Sequence, residues 1–473
     1  MPCGASACLT GASRSPKPTT ETHEKILWID GEGMVPVGSS GGSGVGSGGS
    51  AEALLVEIYQ AAVATAHPAI CVPPHLPDVP DGGRILIVGA GKAAAAMVVA
   101  AERHYAGRGL GDRVTGFVTT RHGFKLPTTT IEIIEAGHPS PDRASVAGAA
   151  RTLEAVAKAG PNDLVLCLLS GGASALWSAP VAGVSFEAKQ ALTKQLLRSG
   201  ARISEMNCVR RHLSRIKGGK LAAAANPARL VTLAISDVPK DDPASIGSGP
   251  TVADPTTLAE ARNVILRYGI AAAPEIVAAL SDPTNETLKP GDPKLARASY
   301  RFVATPRASL DAAAAVARKA GYRTDVLGDS LEGEAREVGR FHGAMALDAK
   351  RRGERIALLS GGELTVTVTG NGAGGPNQEY ALGLAIALDG APGISALAAD
   401  TDGIDGGGGN ADDPAGAVVD PGTLGRARER NLNAAAFLEK NDSTGFFAGA
   451  GGLVQCGPTQ TNVNDLRVIL VDP

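Results

Sequence analysis

The sequence predicts an α/β protein: a doubly wound, mostly parallel sheet in an N-terminal domain, followed by a second, smaller α/β domain. Three observations carry this expectation. Aliphatic runs end twice in the same tripeptide, Leu164 to Leu169 in Ser170-Gly171-Gly172 and Ile356 to Leu359 in Ser360-Gly361-Gly362. A continuous apolar run reads as a strand buried on both faces. Glycines behind such a strand permit a sharp turn and bring N–H groups close to a ligand at the carboxyl end of the sheet. Strand-like segments also alternate with alanine-rich helical ones, the signature of crossover connections. Finally, 473 residues exceed what one hydrophobic core usually serves.

The first element is a helix over 51–66, marked by Leu54, Leu55, Ile58, Tyr59 and Val63. Everything before it reads as a disordered extension, residues 1–50. The segment lacks an apolar signal-peptide region, carries Glu21, Glu24, Asp30 and Glu32, and ends in a Gly/Ser tract over 38–50. After a proline-rich bend, strands are expected at 84–88, 113–119, 131–135, 164–169 and 230–235, with helices at 93–106 and 145–159. The polar, turn-forming stretch 281–293 separates an N-terminal domain, 51–285, from a C-terminal domain, 296–473. Strands at 300–304, 324–327, 355–359 and 394–399 are assigned to the second domain. Residues 364–369 alternate an apolar residue with Thr, which predicts a strand with one wet face.

Composition narrows the function. Hydrophobic residues are 44% and charged residues 20%, as in a loop-rich globular enzyme with 61 glycines. Aromatics at 3% offer few base-stacking platforms, and a net charge of −3 gives no general pull toward nucleic acid or acidic membranes. The six cysteines are dispersed and form no C-x-x-C pair, which fits a reducing cytoplasm better than a disulfide framework or a zinc site. No apolar stretch reaches transmembrane length. The expected partners are small molecules; neither nucleic acid nor a membrane is expected, and a homo-oligomer stays open.

Five segments are candidates for chemistry. Gly89-Ala90-Gly91-Lys92 follows a strand and opens a helix, an arrangement that can hold a phosphate. Lys92 stands where the helix dipole disfavours a cation, so either an anion meets it there or it is a solvated lysine in a tight turn. Helical spacing over 207–220 would set Asn207, Arg210 or Arg211, Ser214 and Lys217 on one basic face, with Gly218 as cap; a solvated surface helix is the plainer reading. His212 reads as structural. Asp237 follows the strand at 230–235 and precedes a Gly/Ser-rich loop, a good anion nest. Gly370 to Glu379 is a glycine loop whose Pro376 marks a helix N-terminus. Asp400, Asp402 and Asp405 cluster as carboxylates suited to Mg²⁺ or as turn residues before glycines, without the Glu that completes an EF-hand.

In order, these pieces resemble the class II glycerate 2-kinases, in which an N-terminal kinase domain is joined to a C-terminal MOFRL domain. The matching segments include Val88-Gly89-Ala90-Gly91-Lys92, Gly137-His138-Pro139-Ser140-Pro141-Asp142, Leu169-Ser170-Gly171-Gly172 and Ser236-Asp237-Val238. The stretch from Arg210 to Gly219, Ser248-Gly249-Pro250-Thr251, Ser360-Gly361-Gly362-Glu363, Pro376-Asn377-Gln378-Glu379, Thr401-Asp402-Gly403-Ile404-Asp405-Gly406 and Thr461-Asn462-Val463-Asn464-Asp465-Leu466 match as well. The resemblance runs from Ala51 to the C-terminus.

It implies ATP- and Mg²⁺-dependent phosphorylation of D-glycerate to 2-phosphoglycerate in a cleft between the domains. It also implies active-site positions for Lys92, Asp237 and Glu363. On that basis Ser170, Gly171 and Gly172, with Arg210 and Lys217, are assigned to substrate. Gly361, Gly362, Gly374, Gly375 and Asn377 are assigned to nucleotide and Asp402 to the metal. Many members carry an arginine where this chain has Pro376, which leaves the transferring phosphoryl group one cation short unless Arg210, Arg211 or Lys217 substitutes. Some relatives sharing the proline bear an older label, hydroxypyruvate reductase. An NAD(P)H-dependent reductase resting on Gly89-Ala90-Gly91, and a catalytically inactive ligand-binding relative, are the alternatives.

Overall fold

The computed structural model describes residues 50–79, 82–407 and 410–473. Apart from Ser50, the extension expected over 1–50 lies outside the described residues. Ser50 caps the first helix, Ala51–Ala66, by accepting a hydrogen bond from the Ala53 amide. Two six-stranded sheets form the frame.

The first sheet contains β1 (Ile85–Ala90), β2 (Val114–Arg121), β3 (Glu132–Ala136), β4 (Leu164–Leu169), β5 (Arg229–Ile235) and β6 (Ala298–Ala304). Their order is β3-β2-β1-β4-β5-β6 and every pairing is parallel. The order reverses between β1 and β4, and such a switch point opens a crevice at the carboxyl ends of the strands. Helices cover both faces: β4 is buried along its whole length, and separate apolar clusters pack against the two sides. A third cluster, built mainly from Phe186–Arg198, Ile203–His212, Leu258–Arg267 and Pro274–Ser281, forms a helical annex.

The second sheet contains β7 (Arg323–Leu331), β8 (Ile356–Gly362), β9 (Ile394–Asp400), β10 (Gly416–Val419), β11 (Leu453–Val454) and β12 (Asp465–Val471). Its order is β11-β10-β9-β12-β8-β7, with β7 parallel to β8 and the remaining pairs antiparallel. The C-terminal strand β12 lies between β8 and β9 and runs against both. The carboxyl ends of β8 and β9 therefore share an edge with the start of β12.

Three expectations change. The strand near 300 belongs to the first sheet, because β6 pairs with β5 beyond the polar stretch taken as the boundary. The first helix packs the other way: Leu55, Ile58 and Tyr59 join Leu310, Leu397 and Leu466 in the core of the second sheet. Residues 364–369 form no strand. Thr365 makes one bridge to Glu334, the Thr367 amide donates to the Glu334 carboxylate, and Asn441 accepts from the Thr369 amide. With side-chain acceptors serving its amides, this alternating segment needs no neighbouring strand.

Candidate active site

The two sheets point their carboxyl edges at one another, and the residues that end their strands meet between them. Lys92, just past β1, donates to Asp402 Oδ2 at 2.6 Å, just past β9. Asn462, ahead of β12, donates through Nδ2 to Asp237 Oδ2 at 3.2 Å, just past β5. Each contact joins one sheet to the other.

At the switch point the backbone closes on itself. The Gly91 amide donates to Thr119 O, the Lys92 amide to Gly171 O at 2.8 Å, and the Ala93 amide to Ser170 Oγ at 3.0 Å. Gly91 has φ +144°, and a Cβ there would lie 2.0 Å from Ser170 Oγ, so only glycine lets β1 and β4 approach this closely. These amides face protein, not an open cradle. The glycine loop therefore locks the two strands together and offers no free N–H row to a dinucleotide phosphate. Ser170 is fully buried by the same arrangement, its hydroxyl engaged by Ala93 and not turned to the cleft.

Gly171 supports Asp237: a Cβ at 171 would stand 1.9 Å from Asp237 Oδ2 and 2.5 Å from Asn462 Nδ2. Gly172, at φ +83°, leaves room for its neighbours: a Cβ there would stand 2.9 Å from His138 Cδ2 and 3.5 Å from Lys92 Cγ. Burial disfavours the Lys92 ammonium, but Asp402, Asp400 and Asp237 outweigh it and hold the lysine charged, above its ordinary range. Burial pushes Asp237 up to about 6, with Lys92 opposing and Asp402 adding to the rise. Burial also lowers His138 to about 4, helped by Lys92 and Arg121, so its imidazole is neutral near pH 7.

On the other sheet, β12 opposes Asp465 to Asp400 in register, which crowds carboxylates along one edge. Burial raises Asp400 well above the carboxylate range, with Asp402 adding to the effect, and burial likewise raises Asp465. Glu363 stands at the cleft rim with part of its surface open to solvent; partial desolvation, then Asp465 and Asp237, shift it upward. Tyr59, from the first helix, donates its hydroxyl to Asp400 O at 2.7 Å and so fastens that helix beneath the site.

The second Ser-Gly-Gly is the end of β8 itself. The Gly361 and Gly362 carbonyls accept from the buried Arg467 guanidinium, which also pairs with Asp465 and lies over the Tyr380 ring. Pro376 is the first residue of the helix Pro376–Leu388, as expected. That helix N-terminus already has a carboxylate: Asp405 accepts from the Asn377 amide and Nδ2 and from the Gln378 amide and Nε2. Asn377 Nδ2 also donates to Asp465 Oδ1 at 2.6 Å. Gly375 packs against the Asp405 backbone and Gly374 against Ser443. These three positions hold the second domain's edge together, and the anion they receive comes from the protein.

Asp402 engages Lys92 with one oxygen and the Ile404 amide with the other. Among the described residues no group of three or more His, Cys, Asp or Glu is arranged to hold a metal ion.

The basic segment 207–220 is not one helix. Ile203–His212 ends before Ser214, which bridges to Pro180. Nor is it a solvated face: Arg211 is buried against Asp254 at 2.9 Å, and Lys217 is buried with its ammonium on Ser174 O, Ser174 Oγ and Gly247 O. His212 is structural, buried between Cys208 O and Glu286. Arg210 and Lys217 line a cavity of about 190 Å³ beside Gly172, together with His138, Ser174 and Lys189. Sequence reasoning assigned no role to Asn462 or His138, although each lies in a quoted motif. Lys189 gave no signal at all, since a lysine on an amphipathic helix ordinarily faces water.

An α/β enzyme with opposed strand ends, a charged lysine and a buried carboxylate across a cleft has the parts of a small-molecule phosphotransferase. The comparisons agree. Residues 54–281 match the domain of unknown function DUF4147 and residues 356–465 match the MOFRL family. The chain is 38% identical to the D-glycerate 2-kinase of Thermotoga maritima, over 89% of this chain and 99% of that one. It is 50% identical to a putative hydroxypyruvate reductase of Agrobacterium vitis, over 89% and 95%. The crystal structure of glycerate kinase from T. maritima superposes with a TM-score of 0.79, covering 89% of this chain and 99% of that chain. The chain belongs to the two-domain glycerate kinase family and is an enzyme of the kinase class.

Proposed function

We propose that the protein transfers the γ-phosphoryl group of Mg·ATP to the C2 hydroxyl of D-glycerate, giving 2-phosphoglycerate and ADP. The observation that carries this is the juxtaposition of a charged Lys92 with a part-buried Asp237 whose proton affinity is raised into the working range. Phosphoryl transfer asks mainly for positioning and charge neutralisation. The C2 oxygen attacks phosphorus as the bond to the ADP oxygen breaks, and Asp237 accepts the hydroxyl proton. Lys92 faces the charge on the transferring oxygens and gives up part of its interaction with Asp402 to do so. Gly171 and Asn462 keep Asp237 in place, and the neutral His138 ring bounds the substrate side.

The nucleotide would lie over the edge of the second sheet, past Gly361, Gly362 and Glu363, with Mg²⁺ arriving on its phosphates as part of the substrate. Such an ion needs only one or two protein carboxylates beyond the phosphates, and Glu363 at the rim is open to supply one. Gly374, Gly375 and Asn377 support this surface from behind. In place of the arginine of many relatives, Pro376 starts the helix, so the added cation must come from the substrate side of the cleft.

The reductase alternative has only names in its favour, because the amides of Gly91, Lys92 and Ala93 are already bonded within the protein. The deciding experiment is phosphorus NMR of the product from D-glycerate, ATP and Mg²⁺, with enolase coupling lacking mutase as a second readout. A 2-phosphoglycerate signal that needs Mg²⁺ supports the proposal. A 3-phosphoglycerate signal, or NADH oxidation with hydroxypyruvate and no phosphoryl transfer, rejects it.

A further inference from the structure

Lys189 projects from the helix Phe186–Arg198 into the cavity beside Gly172, yet it is only 8% exposed and its ammonium has no hydrogen-bond partner among the described residues. Burying an unpaired ammonium is costly, and a fold keeps one when a ligand supplies the missing charge. Its charged neighbours are all of the same sign: Lys217 and Arg210 on the cavity wall, Lys220 and Arg215 behind. Nearby carboxylates are spent elsewhere, Asp254 on Arg211 and Glu286 on His212 and Lys289. Lys217 has three neutral acceptors and Arg210 reaches the Asn207 amide oxygen only at 3.4 Å. The cavity thus gathers three basic side chains, and no carboxylate lines it among the described residues. Burial, then Lys220, Arg210 and Arg215, lower Lys189 to about 7, so an arriving anion would also restore its charge.

The cavity adjoins the reacting groups at His138 and Gly172, where a Cβ on Gly172 would stand 3.5 Å from Lys92 Cγ. Its 190 Å³ lies below the roughly 300–1,000 Å³ of sites for drug-sized ligands, so it suits a short acid. We infer that this pocket is the receptor for the substrate carboxylate, with Lys189 the residue that recognises it and Arg210 and Lys217 its flanking cations. The inference rests on the glycerate reading above and adds a recognition residue that neither the motifs nor the family resemblance indicates. A 2-hydroxy acid anchored there directs its hydroxyl toward Lys92 and Asp237, and a neutral analogue lacks the anchor.

The test combines melting curves and kinetics of the full chain and its Lys189→Met variant, with D-glycerate, its neutral amide and inorganic phosphate as probes. Without anion, the variant should melt above the wild type, because an unpaired buried charge has been removed. D-glycerate should raise the wild-type melting temperature, the amide should not, and the variant should respond to neither. The variant's KM for D-glycerate should rise roughly ten- to a hundredfold, the range for a lost charge-assisted hydrogen bond, with KM for ATP unchanged and kcat within a few-fold. A variant that melts lower than wild type without anion, or keeps its D-glycerate KM, overturns the inference while kinase activity stands. A wild type that is stabilised by D-glycerate through Lys189 but transfers no phosphoryl group keeps the pocket and rejects the activity. Stabilisation by phosphate alone, or by no probe, overturns the carboxylate assignment.

Discussion

The Lys92 ammonium and the Asp402 carboxylate, 310 residues apart in the chain, meet at 2.6 Å between the two sheets. The pair is mostly buried, with side-chain exposures of 17% and 2%. It links the end of β1 to the end of β9 and holds the Lys92 ammonium between the two sheets.

Removing Lys92 should therefore separate chemistry from architecture. Lys92→Ala is expected to lower turnover about a hundredfold or more, comparable to losing one preorganised transition-state donor. Asp402→Ala should cost about 3–5 kcal/mol in urea unfolding, because it breaks a buried pair from one side. Near-wild-type turnover in the lysine variant removes Lys92 from the mechanism.

Asp237, raised to about 6 by burial, sets the expected pH profile. As the proton acceptor it must be ionised in the free enzyme, so kcat/KM should climb through pH 6 and level above it. Asp237→Asn should abolish that limb along with most activity. The stability consequence has the opposite slope. Between about pH 4 and 6 the folded chain holds a proton that the unfolded chain has released, so this group's contribution is full below pH 4 and is lost as pH rises through 6. The asparagine variant should flatten stability across that window.

Gly171 tests whether the backbone positions the acid. An alanine methyl there would overlap Asp237 Oδ2, 1.9 Å away, and force the carboxylate aside. Gly171→Ala should reduce kcat on the order of a hundredfold, as misplacements of about 1 Å do, with far less effect on ATP binding. An unchanged kcat would show that the Asp237 position is not critical.

Asp405 offers a test of the helix Pro376–Leu388. Its buried carboxylate, pushed up to about 7 by burial, accepts from both Asn377 and Gln378. Asp405→Ala strips the cap and should destabilise the protein by about 1–3 kcal/mol in denaturant unfolding. If Asn377 serves the nucleotide only through this scaffold, KM for ATP should shift in the same variant, while Asn377→Ala alone should leave kcat nearly unchanged.

By itself the sequence determined most of the elements and pointed to the strand ends as the place for a site, while β10, β11 and β12 carried no expectation. Period and turn chemistry are local, so ten expected strands yielded nine, and Lys92, Asp237 and Asp402 were legible as strand-end residues, Lys92 and Asp402 of them beside glycines. The failures share a cause. Residues 364–369 alternate like a strand, but no neighbouring strand is there to pair with them. Residues 93–106 and 186–198 both look like ordinary helices, yet only the second carries a buried, unpaired lysine into a cavity, which no helical pattern records. The strand near 300 and the first helix were assigned to the wrong neighbours, because sheet membership is decided by long-range pairing and packing rather than by chain order. Tertiary structure alone turned the glycine loop from a phosphate cradle into a clasp between β1 and β4, and seated Asp405 on the helix where a nucleotide was expected. It could do so because a free amide and one already bonded to a distant carbonyl have the same sequence, and only the folded chain decides which of them a ligand meets.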